Sequence, residues 1–251
     1  MTSAQRLVTA IFLVMVARLA DAQPAASAAI PRTEDGKPNL SGFWQVMNSA
    51  SFDLQGHSAS MGVPAGLSVV DHDDIPYLPN ALIKKKQNEA EKDTADPLLK
   101  CYLPGTPRIM YMPFPFQIFQ TPRQIGMLFE YVHAVRTVYV DGTPHPSGHL
   151  DYWLGDSRGR WDGDTLVVDV VDFNGETWLD HAGNHHSDAM HVVEQFSFID
   201  SDHLAYNATI DDPKVFSQPW TLRMVFYRHK EPGFQLLEYE CNAMTKPSYA
   251  K

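Results

Sequence analysis

The sequence predicts an all-β fold, an antiparallel barrel of about 8–10 strands with one short helix and a long N-terminal excursion. From residue 116 onward, apolar and polar residues alternate with a period of two, which is typical of half-buried strands. Turn signals such as Asp141-Gly142 and Asp162-Gly163 separate these segments. Because a series of antiparallel strands must protect its edges, closure into a barrel is the expected architecture.

The individual elements follow from composition. Asn80–Asp93 has a helical composition, with Asn80 as a candidate N-cap and lysines suited to a solvated face. Residues 55–79 are rich in Gly, Ser, Pro and Asp and predict an irregular excursion. The predicted strands are Asn39–Val46, Gln117–Gln120, Gly126–Val132, His133–Val140, Tyr152–Leu154, Gly159–Trp161, Thr165–Asp172, Met190–Phe198, Leu204–Ile210, Pro219–Tyr227 and Gln235–Cys241.

The N-terminus has the pattern of a secretory signal peptide over residues 1–22. Arg6 supplies a basic region, Leu7–Ala17 is a short apolar run, and Ala20-Asp21-Ala22 is a small-residue cleavage signature. We therefore expect a secreted or periplasmic protein that has no membrane partner after cleavage. The organisation that follows is an extended N-terminal arm over residues 23–38 and a single barrel domain over residues 39–251, with a helical insertion near 80–93.

Composition and charge limit the partners. The chain has 251 residues, of which 44% are hydrophobic and 20% charged, and this excludes a disordered protein. A net charge of −10 argues against nucleic acid as a partner.

Cys101 and Cys241 are the two cysteines of the chain, and in an oxidising compartment such a pair predicts a disulfide.

Two short segments suggest a relationship. Gly42-Phe43-Trp44 begins the first strand, and Gly159–Leu166 lies in the middle of the chain. On these residues the sequence resembles the lipocalin-like, calycin-type barrels, and this resemblance implies a barrel that holds one small ligand. The chain also resembles a family of uncharacterised secreted proteins of soil bacteria, in the run from Trp178 to His186–Val192.

Ionisable residues on apolar strand faces are the first candidates for chemistry. Glu194 shares one face of its strand with Met190, Val192, Phe196 and Phe198. Arg136 and Asp169 are likewise placed on otherwise apolar faces by strand periodicity. If these faces point inward, the barrel lumen contains two acids and a guanidinium. An internal salt-bridge network is the alternative reading of the same pattern.

A second group of candidates surrounds the barrel rim. Glu130, Tyr131 and His133 provide an acid, a phenol and an imidazole in one short segment, and cross-strand surface pairs are the alternative. A polar loop over residues 180–191 contains His181, His185, His186 and His191. It predicts one or two catalytic histidines over a barrel mouth, although His181, His185 and His186 are also weak candidates for a metal site.

These observations predict a cofactor-independent acid–base lyase or isomerase acting on a small hydrophobic or aromatic compound in the barrel lumen. Glu194 or His191 would be the general base, with Asp169 or His186 as its partner. Arg136, Tyr131, Glu130 and His133 would bind the substrate. One alternative is a non-catalytic secreted binding protein for an apolar ligand. A second alternative is a metal-dependent hydrolase that uses the loop from His181 to His191.

Overall fold

The computed structural model describes residues 29–148 and 150–241, so the predicted signal peptide and residues 23–28 of the arm lie outside the described residues. In the described part of the chain, nine strands form one closed barrel in sequential order. The strands are β1 Gly42–Val46, β2 Phe116–Gln120, β3 Gln124–Phe129, β4 Val135–Tyr139, β5 Asp156–Asp162, β6 Thr165–Val171, β7 His191–Asp200, β8 His203–Asp211 and β9 Trp220–Arg228. The predicted all-β barrel is therefore confirmed.

One neighbouring pair departs from the expected antiparallel order. β4 and β5 pair in parallel through Val138–Ser157 and Tyr139–Arg158. β5 therefore begins at the same end of the barrel as β4, as a parallel pair requires. A ring with an odd number of strands cannot alternate direction throughout, so one parallel pair allows β1 and β9 to meet antiparallel and close the barrel.

Two predicted strands take a different form. Gln235–Cys241 is not a strand, and Tyr239 makes one isolated bridge to Tyr131. Tyr152–Leu154 is not a strand either, and Tyr152 makes only an isolated bridge to Phe173, whereas the predicted strand Gly159–Trp161 forms as part of β5. The C-terminal segment cannot extend the sheet by ordinary edge pairing because the closed barrel has no free edge.

The predicted helix forms within the long connection between β1 and β2. The helices are α1 Pro79–Ala90 and α2 Lys92–Ala95, with short 3₁₀ helices at Asp71–Asp73, Pro97–Lys100 and Arg108–Tyr111. Leu78, not Asn80, is the N-cap of α1, because Pro79 occupies the first helical position. Gly183 allows α1 to approach the loop after β6, since a Cβ there would lie 2.7 Å from the backbone nitrogen of Glu89.

Side chains fill the barrel interior. Phe116 and Tyr206 each lie within 5.2 Å of Phe226, measured between ring centroids, and all three rings are buried. On β7, Val192, Glu194 and Phe196 point inward as predicted. The interior is therefore a packed core that contains a few polar groups.

The prediction for β6 is wrong about which face points inward. Leu166, Val168 and Val170 are fully buried, whereas Asp169 lies on the outer face. Both faces of this strand contain valine, so alternation alone could not choose between them. The register with β7 determines which face of β6 points inward, because it places Val168 beside Glu194 inside the barrel.

Residues 29–38 form a turn instead of a fully extended arm, with a bridge between Arg32 and Pro38. Arg32 fixes this turn to the barrel through two hydrogen bonds of 2.6 Å to the Asp164 carboxylate.

Among the described helices, none combines the length and the apolar composition that a membrane span requires.

Candidate functional site

A cavity of about 340 Å³ lies at the end of the barrel where β1, β3 and β6 finish. We call it the barrel-end cavity. Its walls come from the β1–β2 connection, the turn after β3, the loop after β6 and the C-terminal segment. The polar and aromatic residues that line it include Asp96, Arg108, Phe114, Tyr131, His181 and Tyr239.

A charged cluster of three residues lies against this cavity. Arg108 donates two parallel hydrogen bonds to Asp96, of 3.0 Å to Oδ1 and 2.9 Å to Oδ2. The Nδ1 atom of His181 lies 2.9 Å from the same Oδ2 atom. Arg108 and Asp96 are almost completely buried, whereas 26% of the His181 side chain is exposed. The imidazole is therefore the accessible member of the cluster.

The charges of the cluster stabilise one another. Burial by itself raises the pKa of Asp96, but hydrogen bonds from His181 and Arg108 outweigh burial and hold that pKa well below its usual range. Asp96 is consequently an anion at neutral pH. Because a carboxylate accepts hydrogen bonds only, His181 donates from Nδ1, and its Nε2 atom remains available for a proton.

Aromatic side chains form another part of the cavity wall. The Tyr131 and Tyr239 rings stack with centroids 5.2 Å apart, and Phe114 lies 4.6 Å from Tyr239. Burial raises the pKa of Tyr131 to about 12, so its phenol stays protonated at neutral pH. Cys241, also in the wall, forms the disulfide with Cys101 at a Cα–Cα distance of 5.6 Å. The predicted disulfide is thus confirmed.

Of the predicted rim residues, Tyr131 lines the cavity and the other two hold the C-terminal segment in place. Glu130 is buried and accepts a hydrogen bond of 2.8 Å from the backbone nitrogen of Leu237. His133 pairs with Glu240 at 2.8 Å. Both residues therefore contact the C-terminal segment that carries Tyr239, and neither is among the residues that line the cavity.

The predicted lumen pair is present but completely enclosed. The guanidinium of Arg136 makes two hydrogen bonds to Glu194, and Tyr206 donates to Glu194 Oε1 at 2.7 Å. Ser157 accepts from the remaining side of the guanidinium, at 3.1 Å from Nε. Arg136 and Glu194 are 2% and 0% exposed. This geometry corresponds to the internal salt-bridge alternative for these residues.

Asp169 and His191 do meet, but on the outside of the barrel. The His191 Nε2 atom lies 3.1 Å from one Asp169 oxygen, and the His145 Nε2 atom lies 3.0 Å from the other. His145 also contacts Asp156 at 2.7 Å through Nδ1. The expectation that Asp169 accompanies Glu194 in the lumen is therefore wrong, and His191 points away from Glu194.

The other histidines of the loop have separate surroundings. His186 is buried, with Nε2 2.7 Å from the Thr177 hydroxyl and Nδ1 2.9 Å from the Ser187 carbonyl oxygen. His185 stacks on Tyr77, and burial lowers its pKa to about 4. In residues 29–148 and 150–241, no group of three or more His, Cys, Asp or Glu side chains is arranged to hold a metal ion.

Sequence reasoning did not identify Asp96 and Arg108 as site residues. Both lie in the proline-punctuated segment before β2, where no strand or helix periodicity reveals a buried face. A usable signal was nevertheless present, since a charged residue beside Ile109, Met110 and Tyr111 is unusual unless it is paired. The 3₁₀ helix over Arg108–Tyr111 buries all four of these residues.

Comparison of this chain with protein-family models, with curated proteins and with solved structures gives no match.

Proposed function

We propose that this protein is a cofactor-independent acid–base enzyme, a lyase or isomerase, that acts on a small hydrophobic or aromatic compound. The observation that supports this proposal best is the His181–Asp96 pair beside an aromatic-walled cavity. We assign the reaction to the barrel-end cavity and not to the lumen, because Glu194 is fully buried, does not line that cavity and already accepts hydrogen bonds from Arg136 and Tyr206.

His181 is the proposed proton-transfer group. Asp96 fixes its tautomer by accepting from Nδ1, which leaves Nε2 to take a proton from a bound compound and return it. Nε2 is also 3.5 Å from Asp93, a carboxylate that is 86% exposed.

The walls favour an aromatic or otherwise apolar substrate. Phe114, Tyr131 and Tyr239 supply ring faces for stacking, and the disulfide at Cys241 fixes the segment that carries Tyr239. A cavity of about 340 Å³ is in the range of small-molecule sites. A single-ring compound is the size we expect.

The experiment measures proton exchange on aromatic carbon acids. Acetophenone, phenylacetonitrile and phenylnitromethane are incubated with the protein in deuterium oxide, and loss of the C–H signal is followed by proton NMR. We expect faster exchange for at least one of them, and His181→Gln is expected to slow it by about 10²- to 10⁴-fold. If the protein accelerates none of the three, the enzymatic proposal fails.

A matched control variant is available on the outer surface. His191→Gln removes another histidine that is bonded to an aspartate, but one that lies outside the cavity. We expect it to keep wild-type exchange rates. Equal losses in His181→Gln and His191→Gln would contradict the assignment of the reaction to the barrel-end cavity.

The alternative is a non-catalytic binding protein for an apolar ligand. It is favoured by the packing of three aromatic rings along one wall, since this wall would bind a ligand without any proton transfer. Saturable binding of the three carbon acids without any accelerated exchange would support this alternative.

We also propose that the barrel is lipocalin-like and that the protein is secreted or periplasmic. The Gly42-Phe43-Trp44 segment lies in β1, where the guanidinium of Arg228 covers the buried Trp44 ring at 4.1 Å and joins β1 to β9. The Cys101–Cys241 disulfide is compatible with an oxidising compartment. Recovery of the exported protein with an N-terminus near Gln23 would support export, and retention of Met1 would contradict it.

A further inference from the structure

We infer that the ligand of the barrel-end cavity is an aromatic carbonyl compound whose oxygen accepts a hydrogen bond from Nε of Arg108. This inference rests on the proposed function, because it names the substrate class of the same cavity. It adds a group that binds the substrate oxygen to the proton-transfer group already assigned.

Arg108 has an unsatisfied hydrogen-bond donor. Arg108 lines the cavity and its side chain is 3% exposed, yet its Nε atom is buried without a hydrogen-bond partner. The other side of the guanidinium is engaged by Asp96, and NH2 makes a long contact of 3.4 Å with the Ser51 carbonyl oxygen. A buried N–H without an acceptor is costly, typically about 1–3 kcal/mol. Nε has almost no accessible surface, so the guanidinium has to shift slightly towards the cavity for a ligand oxygen to reach it and relieve this cost.

The charge balance favours a neutral oxygen over an anion. The Arg108 cation is already compensated by the Asp96 carboxylate, which is held ionised by its hydrogen bonds. A carboxylate ligand would add an uncompensated negative charge next to Asp96 in a mostly apolar cavity, which is unfavourable. A carbonyl oxygen accepts the available N–H without adding charge.

The placement of the donor suits the proposed chemistry. Arg108, through NH2, and His181, through Nδ1, both contact Oδ2 of Asp96 at 2.9 Å, so the two side chains share one carboxylate oxygen and line the same cavity. A proton on the carbon next to the carbonyl would pass to Nε2 of His181. The electron pair of that C–H bond forms a C=C bond, while the π electrons of the carbonyl move onto oxygen.

The resulting enolate oxygen would accept a stronger hydrogen bond from Arg108 Nε than the ketone does. Return of the proton to carbon or to oxygen restores a neutral product and a neutral imidazole. No oxidant, metal or cofactor is needed for the atoms and electrons to balance in this step.

Calorimetric titration of the disulfide-intact protein with three probes tests the inference. The probes are acetophenone, ethylbenzene, which has the same ring but no oxygen, and benzoate, which carries an anionic oxygen pair. We expect acetophenone to bind about 10-fold or more tightly than ethylbenzene, the value of one satisfied buried donor. Benzoate binding tighter than acetophenone would overturn the inference in favour of an anion site.

The variant Arg108→Lys tests the contribution of the Arg108 Nε–H group by itself. Lysine keeps a cation beside Asp96 but has no Nε–H, so the preference for acetophenone over ethylbenzene should disappear while ethylbenzene affinity stays the same. Should this variant fail to fold, NMR of the arginine Nε–H in the wild-type protein provides the test. A shift of that resonance with acetophenone and none with ethylbenzene supports the inference, and identical spectra overturn it.

Failure of this inference and failure of the proposed function give different results. A preference for acetophenone without accelerated exchange keeps the oxygen site and rejects the enzyme. Accelerated exchange of phenylacetonitrile, with no preference for acetophenone over ethylbenzene, keeps the enzyme and rejects the oxygen site. His181→Gln should lose exchange and retain the preference, because it leaves Arg108 in place.

Discussion

Arg136 on β4 and Glu194 on β7 face each other inside the barrel and form an ion pair that is closed on every side. Ser157 and Tyr206 complete their hydrogen bonds. Neither charge reaches solvent, since the two side chains are 2% and 0% exposed. The pair joins β4 and β7, which are not neighbours in the sheet. We therefore expect that its loss lowers the free energy of unfolding and leaves the activity unchanged.

Glu194→Gln should lower the free energy of unfolding by about 3–5 kcal/mol, because it leaves the buried guanidinium of Arg136 without its counter-charge. Denaturant unfolding measures this loss. Deuterium exchange per folded molecule should be unchanged. An unchanged stability together with lost exchange would instead make Glu194 the catalytic base. The paired replacement Arg136→Met with Glu194→Leu is the control, and it should recover part of the lost stability.

Asp169→Asn should have little effect. Asp169 is 47% exposed on the outside of the barrel, and exposed pairs with histidine contribute less than about 1 kcal/mol. We expect thermal unfolding within a few degrees of the wild type and an unchanged exchange rate. A large loss of exchange in Asp169→Asn would show that the reaction occurs on the outer face and not in the barrel-end cavity.

Removal of the disulfide should affect both stability and the cavity. Cys101 and Cys241 are 140 residues apart in sequence, so the double variant with serine at both positions should lose about 2–5 kcal/mol of unfolding free energy. Acetophenone should also bind more weakly, because Cys241 lines the barrel-end cavity.

Thiol titration of the denatured, unreduced wild type should find no free thiol. Two titratable thiols would contradict the bridge.

Asp180 should make stability fall as the pH rises. Burial raises its pKa from 3.8 to about 6, so between these values the folded protein binds a proton that the unfolded chain has released. The shift corresponds to about 3 kcal/mol. Asp180→Asn removes this dependence, so the stability of the wild type relative to the variant should decrease by about that amount between pH 3 and pH 7.

The difference between the two proteins is the quantity to measure, because other groups titrate in the same range. His185, whose pKa is lowered to about 4, makes stability rise with pH over an overlapping range. Asp96 acts at lower pH, where its depressed pKa makes stability fall as the carboxylate becomes protonated. A wild-type-minus-variant stability that is flat from pH 3 to pH 7 would contradict a raised pKa for Asp180.

The sequence by itself determined the features that depend on local periodicity and on composition. Alternation on β7 placed Glu194 with Val192 and Phe196, because only one face of that segment is apolar. The same reasoning placed Arg136 correctly on β4. Cys101 and Cys241 could be paired from sequence because a chain with two cysteines allows one intramolecular bridge.

Only the tertiary structure decided which face of β6 is interior and which distant residues form the barrel-end cavity. Valine occurs on both faces of β6, so the inward face was set by the register with β7 and not by alternation. Asp96, Tyr131 and His181 lie in irregular segments far apart in sequence. They meet because the barrel brings the ends of several strands to one rim. Local sequence periodicity does not predict which distant segments become adjacent there.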